Sequence, residues 1–181
     1  MKFIVNSLYF IALCFVNKLL VILPTFSLRI VLLRIFGFKI GKSVAFHRGV
    51  TITSLKDKLV IGDNSVINKG VLLDNRRGLY IGNNVSISQK CSLYTLGHDV
   101  DSCDFKTKGD SVYISDYSVL FSNALIMPGV KLGYGSVVLP NSVVNKNFDA
   151  YSIVGGVPAV IIRNRSKGLN YTLNYRYWCG I

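Results

Sequence analysis

One of the chain's two histidines, His98, stands between Gly97 and Asp99, with Asp101 and Asp104 within six residues. Imidazole is the side chain whose ordinary pKa suits proton transfer near neutrality. A neighbouring carboxylate would hold the ring and support the imidazolium formed during reaction. There is no glutamate, so any carboxylate chemistry falls to nine aspartates. Two histidines cannot furnish a three-histidine zinc site. The four cysteines, Cys14, Cys91, Cys103 and Cys179, show no CxxC spacing. Neither a metal centre nor a disulfide framework is expected, and a reducing cytoplasm fits. Cys91 and Cys103 are nucleophile candidates by residue type alone. His47 reads as a solvated turn residue, and Asp74-Asn75 has the composition of an Asx turn.

The elements that must position these residues follow a six-residue period. Apolar residues stand at Ile40, Phe46, Ile52; at Ile61, Ile67, Leu73; at Ile81, Ile87, Leu93; at Ile114, Leu120, Ile126; at Leu132, Val138, Val144; and lastly at Ile153. The period breaks only on completing a set of three. Three hexads therefore form one coil with three short faces, and insertions leave from one corner. This pattern predicts an all-β, triangular parallel β-helix of about five coils, roughly 24 Å tall at strand spacing. Spacing alone does not set its handedness. The largest break separates Leu93 from Ile114 by 21 positions and carries His98 in a loop over 94–113. Long loops in compact repeats carry function or are disordered. Cys91 falls on a core hexad position.

The net charge of +12 is confined to the two ends: residues 1–56 hold eight Lys/Arg and no acid, and 150–181 hold four and no acid. Mean hydropathy is +0.41, which excludes a disordered chain. Residues 3–23 form an apolar stretch interrupted by Asn6, Ser7, Asn17 and Lys18 and ended by Pro24; a second apolar run holds Arg29 and Arg34. No small-residue cleavage site follows, so a removable signal peptide is a poor reading. Apolar faces with wholly basic charge predict two helices lying on an anionic membrane surface. A helical cap on a soluble core and a transmembrane anchor are the alternatives. The expected organisation is an N-terminal helical segment over 1–39, a β-helix over 40–163 and a short tail over 164–181.

From about residue 28 onward the chain resembles the hexapeptide-repeat acyltransferases. It is most similar to the colanic-acid-type sugar O-acetyltransferases of bacterial polysaccharide assembly, relatives of the maltose and galactoside acetyltransferases. The resemblance rests on LLRIFGFKIGK (32–42), LYIGNNVSIS (79–88), LGHDVDSCDF (96–105), ISDYSVLFSNALIMPGVKLG (114–133), SIVGGVPAVIIR (152–163) and LNYTLNYRYW (169–178). It implies a left-handed β-helix, a homotrimer with sites between subunits, and acetyl-CoA as co-substrate without a metal. It also implies His98 as the base that takes a proton from a sugar hydroxyl attacking the thioester. A backbone N–H near Phe121–Ser122 would meet the oxyanion, and no acyl-enzyme forms. Asp99 and Asp101 orient His98 or meet the sugar. Asp74 and Asn75 match the acceptor-binding region, the Asx turn remaining open. Ser122, Gly129 and Ser142 line the coenzyme path, and Lys146 and Arg163 match the basic residues near its phosphates. Arg165 and Lys167 add charge that solvation alone would explain.

Val119 stands where relatives carry tryptophan, Phe121 where they carry glycine, and Lys146-Asn147-Phe148-Asp149 lacks their proline. The expected partners are a sugar or lipid-linked oligosaccharide acceptor and the anionic inner face of the cell membrane, with no nucleic acid. Acetylation of an amino sugar, transfer of another acyl group, and a non-catalytic β-helix scaffold are the rival readings.

Overall fold

Aliphatic side chains six residues apart can share one interior only if the chain turns a corner after each hexad. The computed structural model, which describes residues 2–174, is that left-handed parallel β-helix. Its first face stacks Lys39–Ile40, Leu59–Ile61, Leu79–Ile81, Val112–Ile114 and Lys131–Leu132. The second stacks Ala45–Phe46, Val66–Ile67, Ser86–Ile87, Val119–Leu120, Val137–Val138 and Ser152–Gly156. The third stacks Thr51–Ile52, Leu72–Leu73, Ser92–Leu93, Leu125–Ile126 and Val143–Val144. Register keeps the predicted residues above one another: Ile40, Ile61, Ile81, Ile114 and Leu132 form one column inside the prism. A tight corner follows each first-face strand, where Gly41, Gly62 and Gly82 lie against the backbone of the next coil and leave no room for a Cβ.

Five coils are complete and most of a sixth follows. Its first-face position is Phe148, bridged to Leu132, and its second-face core residue is Val154, paired with Val138. The period thus ends on Val154 rather than Ile153, because the chain reaches Phe148 only four residues after Val144. After Gly156-Val157-Pro158-Ala159 the strand Ala159–Asn164 folds back antiparallel on Ser152–Gly156.

The N-terminal segment is not separate from the prism. Helix α1 (Lys2–Ile22) and helix α2 (Phe26–Ile35) close its first coil. Leu13, Val16, Leu20, Ile30 and Leu33 join the same core as the hexads. An open β-edge presents unpaired N–H and C=O groups, and side chains satisfy them here. Asn17 Nδ2 donates to Ile52 O at 2.9 Å while Ile52 N–H donates to Asn17 Oδ1 at 3.0 Å. Arg29 is 1% exposed and donates to Phe46 O and Leu23 O at 2.9 and 2.6 Å. Arg34 donates to Ile40 O and Gly41 O. Asn17 is therefore a cap on the open edge, Arg29 is buried inside the fold, and Arg34 caps two carbonyls from the exposed surface. The opposite face of α1 is open: Ile4, Leu8, Phe10, Ile11, Phe15 and Ile22 are each at least 60% exposed. By length and composition Ile4–Ile22 would also suffice to cross a membrane.

His47 is buried, its ring 4.9 Å from Phe26, and is not a solvated turn residue. The tail doubles back along the corner between first and second faces. Arg165 donates to Tyr117 O and Gly135 O, Tyr171 Oη to Tyr117 O, and Leu173 N–H to Asn84 Oδ1. Leu173 then packs outside the second face on Phe26, Ala45 and Val66. Arg165 is thus a structural tie rather than solvated charge. Residues 175–181, which include Cys179 and the end of the 169–178 motif, lie outside the described residues.

Candidate active site

The loop carrying His98 is rigid at its foot and open at its tip. It leaves the third face after Leu93 and forms a hairpin, Leu96–His98 against Thr107–Gly109, with His98 opposite Thr107. Gly109 crosses so near Thr95 O and Leu96 that a Cβ would collide with backbone. Ser111 Oγ donates to Arg77 O at 2.7 Å, and Gly129 N–H donates to Asp110 O at 3.3 Å. The imidazole of His98 lies flat on the ring of Phe105, centroids 4.5 Å apart and planes 6° from parallel. Stacking fixes the ring plane and leaves its edge to solvent.

Asp74 anchors this foot from one coil below. Its carboxylate accepts from Thr53 Oγ1 at 2.7 Å and from Arg76 Nε, Nη2 and N at 2.8, 2.9 and 3.2 Å. It also accepts from Thr95 N at 3.1 Å and Leu96 N at 3.2 Å. Burial pushes the carboxyl up, but the Arg76 guanidinium, Thr53 hydroxyl and backbone N–H groups outweigh it, and the pKa falls to about 2. The same contact raises Arg76. Asp74 and Asn75 are both fully buried. Asn75 Oδ1 accepts Ser54 N–H, and its Nδ2 donates to the Ser54 and Asp57 carbonyls. Asn75 is thus a rung between coils, not a ligand for an acceptor, and Asp74 orients the strand that bears His98.

Asp99 does not hold the His98 ring. Successive strand residues point to opposite sides, and the Asp99 carboxylate meets Lys108 Nζ at 3.2 Å and Asp101 N–H at 3.3 Å. Asp101 is exposed at the tip. Burial pushes the Cys91 thiol up to about 11, leaving it no thiolate at neutral pH, and Cys103 is exposed.

The residues matched to the coenzyme path do not share one surface of this chain. Gly129 and Lys146 lie at the His98 corner, whereas Ser122 and Ser142 lie at the corner between second and third faces. Ser142 is buried and its Oγ accepts Gly156 N–H at 3.2 Å, so it supports the final turn from beneath. Phe121 N–H is committed to Val138 O. Arg163 and Lys167 line an open cavity of about 420 Å³ with Val119, Phe121, Val137 and Ile153. Both substituted positions, Val119 and Phe121, therefore wall the same basic groove. The spacing did not reveal Phe105, Thr95, Arg76 or Lys108 as parts of the site; the hairpin register that brings Phe105 back to His98 was the missing signal.

A hexapeptide β-helix with a histidine raised on a corner loop is the framework of acyl-transfer enzymes, and comparisons with known proteins bear on the family. No family model matches the chain. It is 38% identical over 137 residues to WcaF of Escherichia coli K12, named as a colanic acid biosynthesis acetyltransferase, covering 76% of this chain and 75% of that one. A Vibrio cholerae hexapeptide-repeat acetyltransferase crystallised with acetyl-CoA superposes with a TM-score of 0.78 at 27% identity, covering 86% of each chain. A Clostridium difficile maltose O-acetyltransferase shares the fold, with a TM-score of 0.79, 21% identity and 86% coverage of each chain. The chain belongs to the hexapeptide-repeat acetyltransferases.

Proposed function

We propose that the protein transfers an acetyl group from acetyl-CoA to a sugar hydroxyl in surface-polysaccharide assembly, with His98 as general base. The observation that carries this reading is the imidazole clamped flat on Phe105 above an anchored hairpin. His98 accepts the hydroxyl proton as the oxygen attacks the thioester carbon. The oxyanion collapses with loss of CoA thiolate, which takes the proton back from the imidazolium. The inert Cys91 thiol supports direct transfer. The Arg163–Lys167 groove supports binding of an anionic coenzyme.

The base stands at the corner between third and first faces and the groove lies on the second face, with a face of about six residues, or roughly 20 Å of chain, between them. A threefold assembly that sets one protomer's His98 corner beside its partner's second face would complete the site, and this supports the homotrimer. The open apolar face of α1 supports peripheral attachment to the inner face of the cell membrane. Arg29 is buried and no longer contributes to that argument, but Lys18, Arg34, Lys39, Lys42, Arg48 and Lys56 are exposed at the same end with no acid before Asp57.

The test is thiol release from acetyl-CoA with purified protein and a panel of neutral hexopyranosides, in wild type and His98→Ala. Release that depends on sugar hydroxyl and is lost in the variant supports the reading. Release only with amino sugars, or with none, overturns it. Flotation with anionic liposomes tests the attachment, and recovery wholly in the soluble fraction refutes it.

A further inference from the structure

Between α2 and the first corner of the first coil lies an open cavity of about 350 Å³. Ser27, Val31 and Arg34 wall it on the helix side, and Gly41, Lys42 and Ser43 on the other. Ser27, Arg34, Lys42 and Ser43 are all exposed. Arg34 Nε and Nη2 donate to Ile40 O and Gly41 O, and its Nη1 has no partner among the described residues. Lys42 is fixed through its backbone: its N–H donates to Asp63 Oδ1 at 2.7 Å, and its O accepts Asn64 N–H at 2.9 Å. Its ammonium makes no ion pair among the described residues. There, too, the Ser27 and Ser43 hydroxyls take no partner. A guanidinium edge, an ammonium and two hydroxyls thus share one cavity that no carboxylate lines. Asp63, on the neighbouring coil, touches this wall from below; set against Arg34 and Lys42, it leaves one positive charge.

The cavity opens beside an apolar stripe. Leu28, Val31 and Ile35 recur at helical spacing on α2 and are 46%, 51% and 75% exposed. Val31 belongs to both stripe and cavity. The opposite side of the helix buries Phe26, Ile30 and Leu33, so packing of the cap does not use the stripe. Cations set beside an exposed apolar stripe suit the boundary between lipid headgroups and acyl chains.

From this juxtaposition we infer that the α2 cavity binds the phosphodiester of an anionic phospholipid. The phosphate oxygens meet Arg34 Nη1, the Lys42 ammonium and the Ser27 and Ser43 hydroxyls, and the acyl chains lie along Leu28, Val31 and Ile35. The charges match one for one, since a phosphodiester carries a single negative charge. Attachment through α1 needs only apolar burial and has no stoichiometry; this site holds one lipid, saturably, on the second helix. A free phosphate would leave the stripe unused. The inference rests on the membrane reading above for its setting, and the lipid contact is measurable without a bilayer.

The full-length protein, in a non-ionic detergent and saturated with CoA so that the coenzyme groove is filled, is titrated calorimetrically with three probes. These are dihexanoyl phosphatidylglycerol, dihexanoyl phosphatidylcholine and glycerophosphoglycerol, the headgroup without chains. Phosphatidylglycerol is expected to bind one per chain, about tenfold more tightly than either of the others. Lys42→Gln with Ser27→Ala should weaken it about tenfold, whereas Lys42→Arg alone should keep wild-type affinity. Leu28→Ser with Ile35→Ser should weaken phosphatidylglycerol about tenfold and leave glycerophosphoglycerol unmoved. Unchanged CoA affinity and Tm check folding in each variant; Arg34 is left intact because it also caps the first strand. Phosphatidylcholine binding as tightly as phosphatidylglycerol would overturn the anion site, and glycerophosphoglycerol doing so would overturn the lipid. Affinity unmoved in the Lys42→Gln variant would overturn the location. Flotation with liposomes but no selectivity in the titration sinks this site and spares the attachment; selective titration without flotation does the reverse.

Discussion

Replacing Asp74 by Asn should weaken the fold and slow the enzyme, both by amounts the geometry sets. The carboxylate accepts six hydrogen bonds from Thr53, Arg76, Thr95 and Leu96. Its pKa drops from 3.8 to about 2 on folding. At about 1.4 kcal/mol per unit, the ionised form contributes about 2 kcal/mol at neutral pH. The folded pKa lies below the unfolded one, so as pH falls the unfolded chain binds the proton first. The contribution is full above the unfolded value of 3.8 and is lost as pH falls through about 2. An amide removes the charge at every pH and turns an NH₂ toward donors. Urea unfolding at matched protein concentration should give a wild-type advantage of about 2–3 kcal/mol at pH 7. That advantage should shrink to roughly half at pH 3. Thr95 and Leu96 lose their acceptor, so kcat should also fall, by about tenfold, with CoA affinity intact. An equal gap at both pH values, or none, would refute the assignment of Asp74 as an ionised anchor.

The His98→Ala variant should lose about 10²–10⁴ in kcat with CoA affinity retained, and Phe105→Ala should lose about threefold to tenfold from the lost stacking; both are read by thiol release at saturating acetyl-CoA. Arg163→Ala should raise the KM for acetyl-CoA without moving Tm, whereas Arg165→Ala should lower Tm by freeing the tail; parallel thermal and kinetic titrations separate the two. Asn17→Leu should cost about 2–3 kcal/mol through the opened Ile52 edge. Changing Ile4, Leu8 and Ile11 together to Ser should leave Tm unchanged and abolish liposome flotation. Deleting 1–23 would confuse these effects, since that segment also closes the core.

The prism was legible in the sequence because its period equals the distance between corners, and each inward side chain has no choice but to be apolar. The two ends were not, since Asn17, Arg29 and Arg34 have the residue types of membrane-surface or interrupting groups and only their partners reveal them as caps. Phe148 escaped notice for a similar reason: a shortened turn after Val144 shifts the period by two. At the site, the Gly97-His98-Asp99 run stood out, but Asp99 was misleading company. In a hairpin the adjacent residue faces away, and the partner of His98 comes from seven residues downstream. Asp74 was visible as a polar pair at a corner, and its burial depends on a loop whose return path no spacing encodes.

Repeat proteins of this kind bind mainly coil to coil and are prone to peel from an end. The tail alters that arithmetic. By running from the sixth coil back past Tyr117 and Asn84 to Ala45 and Val66, it ties the last coil to the first. Loss of the terminal coils must then also release contacts at the opposite end, which converts a zipper into something closer to an all-or-none unit. It also raises contact order, so closure is slow relative to coil stacking. During synthesis the coils can stack as they emerge, yet the ring of contacts from end to end closes only once Leu173 has left the ribosome. A chain stalled or clipped shortly before that point would hold a stacked prism whose two ends are not yet joined.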